Sequence, residues 1–431
     1  MSTGVSPARA AAAWVLSRYR RFDAWSQQTV DSARIRFALD DRDAALCARL
    51  CLSVLQNAAL CDYYIGCFCG QTPEKLEPQV LDILRLGTVQ LLLMDRVPPS
   101  AAVNESVELA KGTRRRAAGL VNAVLRKIAQ NITALPPIPG SGTARELSIR
   151  FSHPLWLCEK LMNSHGYDFT RAWLETNNTP PTLTVSVNLC RTDAVSLAER
   201  LCAAGFDAAV NPLSEVSVDI RDAGYAAALP GFARGDFFVQ DAAAATGVTA
   251  LRPEPGMRVL DACAAPGGKS MLCAGWMRDK GEILACDIHE KKLRLIEENA
   301  ARLGLRSVRT AVMDAAAPEA SLYEAFDLVI SDVPCSGLGV IRKKPEIRYK
   351  DRGQIARLPE AQRRILDGVS RCVRAGGTLL YSTCTILSEE NEAVVAAFLD
   401  DNPAFSLDSQ RTIWQQDYGT DGFYYAILKK K

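Results

Sequence analysis

The stretch that decides the fold is Val259-Leu260-Asp261-Ala262-Cys263-Ala264-Ala265-Pro266-Gly267-Gly268-Lys269-Ser270. In it an apolar strand runs into a loop of small residues, and a helix begins near Gly268. Small residues let a ligand approach the backbone closely, and the first turn of a helix offers free N–H groups. From Gly256 onward, strand and helix patterns alternate regularly. This alternation predicts a doubly wound α/β domain over residues 241–431.

The loop is followed by two acids that indicate the kind of ligand. Its last three residues resemble a phosphate-binding P-loop, but that pattern needs glycine where this chain has Cys263, and no Gly-x-Gly-x-x-Gly is present. The strands Glu282–Cys286 and Val308–Met313 deliver Asp287 and Asp314. An acid at the position of Asp287, the end of the second strand, commonly binds ribose hydroxyls. Asp314 is placed to accept a hydrogen bond from an adenine amino group. Either acid alone is as well explained as a helix cap or a solvated loop acid, but the ordered set predicts S-adenosylmethionine.

Two cysteines close apolar strand-like runs, in Asp332-Val333-Pro334-Cys335 and Ser382-Thr383-Cys384-Thr385. The carboxyl ends of strands in a parallel α/β sheet form the edge where ligands bind. Two thiols at that edge, one of them close to Asp332, favour covalent chemistry over packing as buried strand ends. Residue type alone does not decide which thiol attacks.

Composition limits the class of protein. The 431 residues are 48% hydrophobic and 23% charged, which is typical of a soluble chain with two or three domains. The formal charge is +2, with 17 Lys and Arg against 12 Asp and Glu in residues 1–131. Fourteen scattered cysteines without a Cys-x-x-Cys pair, together with three histidines, argue against a metal site. No secretory signal and no long apolar run is visible, so we expect a cytoplasmic monomer without a membrane span.

Three regions follow from the pattern of apolar residues. Apolar stripes in Lys75–Met94 and Ala117–Gln130 predict an all-helical domain over residues 1–135. A stretch rich in proline and glycine begins at Leu135 and predicts a linker. Residues 136–240 are then predicted to hold linker helices and a small α+β domain. Its expected elements are helices near 154–164 and 168–176, strands Leu183–Asn188, Val216–Ile220 and Asp236–Gln240, and a helix at Ala194–Ala204.

Three segments, 261–269, 332–339 and 382–385, resemble the signature motifs of RNA cytosine-5 methyltransferases, above all the bacterial 16S rRNA enzymes of the RsmB (Fmu/Sun) group. The run Ser388–Glu392 is also typical of them, and Leu120–Arg126 resembles the characteristic helix of their NusB-like RNA-binding domain. The resemblance spans nearly the whole chain. It implies an all-α NusB-like domain, a small RRM-like α+β domain and a Rossmann-like class I methyltransferase domain. The last of these should have a seven-stranded sheet, ending in a strand at Gly422–Leu428.

The resemblance also assigns roles to individual residues. It implies that Cys384 attacks cytosine C6 and that Cys335 acts as general base in product release, whereas the Pro-Cys dipeptide of DNA cytosine-5 methyltransferases would favour Cys335 as nucleophile. Asp332 would address the cytosine edge and Lys269 would support the thiolate. Ser270 stands where threonine is common, but this removes no reacting group. The implied cofactor-binding residues are Cys263, Ala264, Ala265, Pro266, Gly267, Gly268, Lys269, Asp287, Asp314 and Asp332.

A basic segment follows the first cysteine motif and predicts contact with RNA. Residues 342–364 hold nine Lys and Arg against three acids, which suits neutralisation of phosphates. The target cytosine should be unpaired or flipped out to reach a thiolate. A tRNA substrate, or a non-catalytic NusB-like RNA-binding or antitermination factor, stays as an alternative. The candidate contacts are Arg342, Lys343, Lys344 and Arg348, and also Arg114, Arg115 and Arg116, for which a plain surface cluster explains the pattern equally well.

Overall fold

The computed structural model describes residues 4–22 and 27–431, and the chain forms two compact units, Met1–Asn178 and Thr179–Lys431. The described residues of the first unit are helical and contain no strand. Its helices are α1 (Pro7–Phe22), α2 (Gln27–Arg36), α3 (Asp41–Cys69), α4 (Pro78–Leu93), α5 (Pro99–Arg114), α6 (Ala118–Gln130), α7 (Ala144–Phe151), α8 (Leu155–His165) and α9 (Tyr167–Thr176).

The predicted helices of this unit are confirmed, with one apolar face of each buried. In α6 the buried side chains are Val121, Val124, Leu125 and Ile128, spaced as one face of a helix. Helix α4 packs closely on this face, because a Cβ atom at Gly87 would lie 2.4 Å from Cδ1 of Leu125. The helices α7–α9 belong to the same unit, while the expected domain boundaries at residues 135 and 240 stay predictions.

Helix α3 is the longest element, with 29 residues. The Asp40 side chain caps its first turn by accepting from the backbone of Asp43, and Gly70 ends it in the left-handed conformation. It is long and apolar enough to cross a membrane by length and composition. Its buried side chains, which include Leu50 and Ile65, pack in the core of the helical unit. Core helices of soluble proteins commonly have this character.

The second unit, described throughout, contains two sheets. Its strands are β1 (Leu183–Val187), β2 (Asp207–Val210), β3 (Ser217–Arg221), β4 (Phe237–Val239), β5 (Arg258–Asp261), β6 (Glu282–Asp287), β7 (Val308–Val312), β8 (Phe326–Asp332), β9 (Val373–Thr383), β10 (Phe405–Ile413) and β11 (Phe423–Lys430). Its helices are α10 (Ala194–Ala203), α11 (Ala242–Leu251), α12 (Gly268–Trp276), α13 (Glu290–Leu303), α14 (Arg352–Ala356), α15 (Leu358–Ser370), α16 (Glu392–Asp401) and α17 (Gln415–Tyr418).

The small antiparallel sheet has the strand order β2-β3-β1-β4. This is the order of a ferredoxin-like α+β unit, in which α10 crosses from β1 to β2 and a short 3₁₀ turn, Ala226–Ala228, replaces the second helix. The predicted strands β1, β3 and β4 are confirmed. Strand β2 was not expected, because its sequence Asp-Ala-Ala-Val is too short and too poor in β-branched residues to predict a strand.

The large sheet has seven strands in the order β10-β11-β9-β8-β5-β6-β7. Strands β5 to β9 run parallel. Strand β11 is antiparallel to both of its neighbours, β9 and β10, so β10 runs in the same direction as β5 to β9. The predicted doubly wound sheet and its last strand, β11, are confirmed. After β5 the chain adds β6 and β7 on one side of β5, and it then crosses back to add β8 on the other side. Such a switch point opens a crevice beyond the carboxyl ends of β5 and β8.

A close backbone contact joins the loop before β4 to the end of α13. Gly235 has a φ of +75° there, and the Arg302 side chain donates to the carbonyl oxygens of Phe232 (2.8 Å) and Phe237 (3.0 Å). A Cβ atom at Gly235 would lie 2.3 Å from the Arg302 carbonyl oxygen. This contact therefore requires glycine for space as well as for conformation.

We predict that Gly235→Ala destabilises the second unit by about 1–3 kcal/mol more than Gly376→Ala does, since overpacking has this cost. Gly376 is the matched control because its φ is +70° and nothing lies within 4 Å of the position of an added Cβ atom. Urea unfolding of both variants measures the difference. Equal losses would mean that the backbone contact at Gly235 contributes nothing.

Candidate active site at the switch point of the large sheet

The small-residue loop after β5 is shaped by two glycines. Gly267 has a φ of +105°, a conformation that favours glycine, and precedes the first residue of α12. A Cβ atom at Gly268 would lie 2.9 Å from Nε2 of Gln240. The first position needs glycine for its conformation and the second for space, and together they set the path of the loop into the amino terminus of α12, an end of a helix that suits polar ligands.

Two buried oxygen atoms beside this loop have no hydrogen-bond partner among the described residues. They are Oε1 of Gln240 and Oδ1 of Asp261. The other oxygen of Asp261 accepts a hydrogen bond of 2.6 Å from the Ser270 hydroxyl. Burial raises the pKa of Asp261 to about 6, although Ser270 and Lys269 act in the opposite direction. Unpaired buried acceptors are costly, so the loop is suited to a ligand that carries N–H donors.

Asp287 is the last residue of β6 and Asp314 follows β7, so both lie at the same edge of the sheet. Asp287 is buried, and its Oδ1 atom accepts from the backbone N–H of His289 at 2.9 Å. Its other oxygen is left for a ligand. Asp314 is exposed and accepts from the backbone of Ala316 at 2.9 Å. The acids and the loop fit S-adenosylmethionine, whose ammonium and ribose hydroxyls are donors, although the individual cofactor contacts stay predictions.

The structure brings the two cysteine motifs together. Asp332 and Ser382 are paired residues of the parallel strands β8 and β9, so the two loops leave the sheet side by side. The Sγ atoms of Cys335 and Cys384 lie 3.2 Å apart. Both side chains are partly exposed. The two thiols, which the sequence predicts at one edge of the sheet, are therefore in direct contact.

The two thiols differ in their surroundings. The pKa of Cys384 is lowered, chiefly by its hydrogen bond with the Cys335 thiol and also by the Lys269 ammonium. The pKa of Cys335 is raised by that same hydrogen bond, by burial and by the charges of Glu390 and Asp332. Since the thiolate is the nucleophile, Cys384 is the better suited of the two to attack.

An ion pair borders the thiols. The ammonium of Lys269 lies 2.6 Å from Oδ2 of Asp332 and 5.1 Å from the centre of the Phe423 ring. The Ser382 hydroxyl donates to the other oxygen of Asp332 at 2.8 Å. Lys269 is 8% exposed, so its position is set by these contacts. The pair presents a cation and an oriented carboxylate to whatever binds at the thiols.

The basic segment lies closer to the protein interior than its composition suggests. Arg342 and Arg348 are buried, and the Arg342 guanidinium donates to the carbonyl oxygen of Gly419 at 3.1 Å. Lys343 bridges Asp241 (2.5 Å) and Asp421 (2.9 Å). Burial, with the repulsion of Asp241, raises the pKa of Asp421 to about 7. Burial argues against direct phosphate contact by the two arginines, and Lys343, which is partly exposed, is held by its two ion pairs.

Lys344 is exposed, as RNA contact requires. In the helical unit, Arg114, Arg115 and Arg116 are exposed at the end of α5, where Arg114 forms an ion pair with Glu77 at 2.7 Å. All the expected RNA contacts stay predictions.

One residue of the site had no predicted role. Glu390 is a buried acid within the Ser388–Glu392 run, and it accepts hydrogen bonds behind both cysteine loops. This run is typical of the family that the sequence resembles. However, no pattern in the sequence indicates that Glu390 lies near Cys335 in the fold. Within the described residues, no group of three or more His, Cys, Asp or Glu is arranged to hold a metal ion, and none of the 14 cysteines is in a disulfide.

Comparisons with known proteins agree with this geometry. Residues 248–429 match the family described as 16S rRNA methyltransferase RsmB/F, residues 6–130 the NusB family, and residues 153–225 the ferredoxin-like domain of RsmF/B-like methyltransferases. The probable ribosomal RNA small subunit methyltransferase B of Bacillus subtilis is 35% identical, over 91% of this chain and 92% of the relative. The ribosomal RNA small subunit methyltransferase B of Citrobacter koseri is 33% identical, over 91% of this chain and 92% of the relative. The crystal structure of PH0851 superposes with a TM-score of 0.81, at 25% identity and 99% coverage of both chains.

We predict that Asp287→Asn raises the Kd for S-adenosylmethionine by about tenfold or more, because it replaces a charged acceptor of the ribose hydroxyls by a neutral amide. Isothermal titration calorimetry on the full chain measures this change. Glu290→Gln, at an exposed acid of the same loop–helix junction, is the control and should leave the Kd unchanged. An unaltered affinity in Asp287→Asn would exclude it from the cofactor site.

Proposed function

The chain belongs to the RsmB/F family of 16S rRNA methyltransferases, and we propose that it methylates C5 of a specific cytosine in 16S rRNA through a covalent thiol adduct. The family makes it an S-adenosylmethionine-dependent rRNA methyltransferase. The observation that carries the finer proposal is the contact of 3.2 Å between Cys335 and Cys384, beside the Lys269–Asp332 ion pair. Methyl transfer to oxygen or to an exocyclic nitrogen has no need of two adjacent thiols.

Cytosine C5 requires this equipment because it is a poor nucleophile in the intact ring. A thiolate that adds to C6 forms an S–C6 bond and moves the C5–C6 electron pair toward C5. The bound cofactor supplies an electrophilic methyl group for that carbon. A base must then remove the C5 proton, after which the S–C6 bond breaks and the thiolate leaves.

The residues of this site suit the separate parts of that sequence. Cys384 has the lowered pKa and is proposed as the thiolate that adds to C6. Cys335, in contact with it, is proposed to take the C5 proton and to release the product. Asp332 is held by Ser382 and Lys269 in an orientation from which a carboxyl group addresses the N3/N4 edge of cytosine. The Lys269 ammonium therefore orients the Asp332 carboxylate and also stabilises a thiolate at Cys384.

The substrate is proposed to be RNA with an unpaired or flipped cytosine. A base within a stacked duplex does not expose C6 to a side chain, so loops or helix ends of rRNA are the favoured targets. Exposed cations of the segment after the first motif, Lys344 and Lys350, are better placed for phosphates than its buried arginines. A monomeric state and a cytoplasmic location stay predictions.

We predict that the purified chain transfers a labelled methyl group from S-adenosylmethionine to 16S rRNA. Bisulfite sequencing should find a single rRNA cytosine that is protected in cells with the gene and converted in cells without it. tRNA from the same cells serves as the competing substrate. Methylation of tRNA but not of rRNA would overturn the substrate, while methyl transfer to a position other than C5 would overturn the reaction.

The two thiols are predicted to give opposite phenotypes on substitution. Cys384→Ser should lose methyl transfer by at least about 10³-fold and form no adduct, since a hydroxyl is not ionised at neutral pH. Cys335→Ser should accumulate an RNA–protein complex that survives denaturation, because the methylated adduct is not released. Denaturing gel electrophoresis with labelled RNA separates these outcomes, and Cys202→Ser, at an exposed thiol that the mechanism does not use, is the control. Exchanged phenotypes would reverse the two roles.

A further inference from the structure

A buried carboxylate lies directly behind the two cysteine loops. Glu390 is 1% exposed, and its Oε2 atom accepts from the backbone N–H of Ser336 at 2.8 Å. Its Oε1 atom lies 3.4 Å from the Thr385 hydroxyl. Ser336 is the residue after Cys335, and Thr385 is the residue after Cys384. One side chain therefore contacts both loops, each at the position next to its thiol.

Further contacts make this arrangement rigid. The hydroxyls of Ser336 and Thr385 lie 2.7 Å apart. The amide of Gln362 donates to Oε2 of Glu390 (2.8 Å) and to the carbonyl oxygen of Pro334 (3.0 Å), which precedes Cys335. The Tyr381 hydroxyl donates to the backbone oxygen of Glu390 at 2.6 Å. Because both loops are attached to the same buried group, the separation of the thiols depends on it.

The charge of Glu390 also acts unequally on the thiols. The charged groups that face Cys335 are Glu390 and Asp332, and both disfavour a thiolate there. Those that face Cys384 are Lys269, which favours a thiolate, and Asp332 and Asp421, which oppose it. The Lys350 ammonium contacts the Ser336 carbonyl oxygen at 2.7 Å, and the Tyr381 hydroxyl faces Glu390. These charges oppose a thiolate at Cys335 more than at Cys384.

We propose that Glu390 is a positioning residue for the two thiols, since its buried side chain contacts both cysteine loops and its charge faces Cys335 rather than Cys384. The proposal rests on the covalent function proposed above, and it adds a cause for the choice of nucleophile. Because Glu390 is buried behind the cysteine loops, it is not placed to touch the target base or the cofactor. It acts through Ser336 and Thr385 by geometry and on the sulfur atoms by charge.

Glu390→Gln tests the charge with little change of shape. The amide oxygen of the introduced side chain can still accept from the backbone of Ser336. Its amide nitrogen then takes the place of Oε1 and faces the Thr385 hydroxyl, whose oxygen can accept a hydrogen bond. Glu392→Gln is the matched control, because Glu392 lies in the same run but accepts from Thr412 at 3.0 Å rather than from the cysteine loops.

The measurement is the rate of alkylation of each thiol by iodoacetamide between pH 6 and 10, on the full chain without RNA or cofactor. Peptide mapping separates Cys335 from Cys384. In the wild-type chain and in Glu392→Gln, Cys384 should react at a lower pH than Cys335. In Glu390→Gln the two pH midpoints should approach each other, with Cys335 reacting about tenfold faster at pH 7, the change expected for one pKa unit. Folded Glu390→Gln with both midpoints unchanged overturns the proposal.

Glu390→Asp provides a second test if Glu390→Gln fails to fold. It keeps the charge but shortens the side chain, so the pH midpoints of both thiols should stay near those of the wild type. The kcat for methyl transfer should fall at least about tenfold with an unchanged KM for the cofactor, because the loops lose their shared attachment. A wild-type kcat in Glu390→Asp overturns the geometric part. Because alkylation needs no RNA, a chain that methylates no cytosine but shows the shifted midpoints would refute the proposed function alone.

Discussion

The parallel pairing of β8 with β9 is the constraint on which the site depends. It sets Asp332 beside Ser382, so that each strand ends at the same level and releases a loop that carries one cysteine. The contact of 3.2 Å between the sulfur atoms follows from this register and from the buried groups that hold the loops. A shift of the register by one residue would turn every side chain of the strand to the opposite face and separate the thiols.

The neighbouring strand β5 places the small-residue loop next to the thiols. The thiol region and the small-residue loop differ in how many of their buried polar groups have hydrogen-bond partners. Behind the thiols, the carboxylate of Glu390 has several hydrogen bonds. Beside the loop, oxygen atoms of Gln240 and Asp261 are buried without partners among the described residues. The first arrangement fixes geometry before any ligand binds, while the second gains hydrogen bonds only when a ligand with donors arrives.

Most of the fold and the location of the site could be predicted from the sequence, because strand patterns that end in Asp, Pro-Cys or Thr-Cys predict one functional sheet edge. The edge strand β2 could not, since it is short and lacks β-branched alternation. β10 was missed because its residues are mostly polar and exposed. The burial of Arg342 and Arg348 could not be predicted from composition either, because it depends on tertiary packing rather than on local charge. Glu390 carries no local signal, since its partners Ser336 and Gln362 are distant in the chain.

The closeness of the two sulfur atoms has a consequence for the conditions under which the site can work. An accessible thiolate in contact with a second thiol is also the arrangement from which peroxides make disulfides. Oxidation of Cys384 to a sulfenic acid, followed by attack of Cys335 with loss of water, would consume both reactive groups at once. The contact that suits the two thiols to the proposed roles of attack and release therefore also makes them vulnerable to oxidation, so that the site favours reducing surroundings.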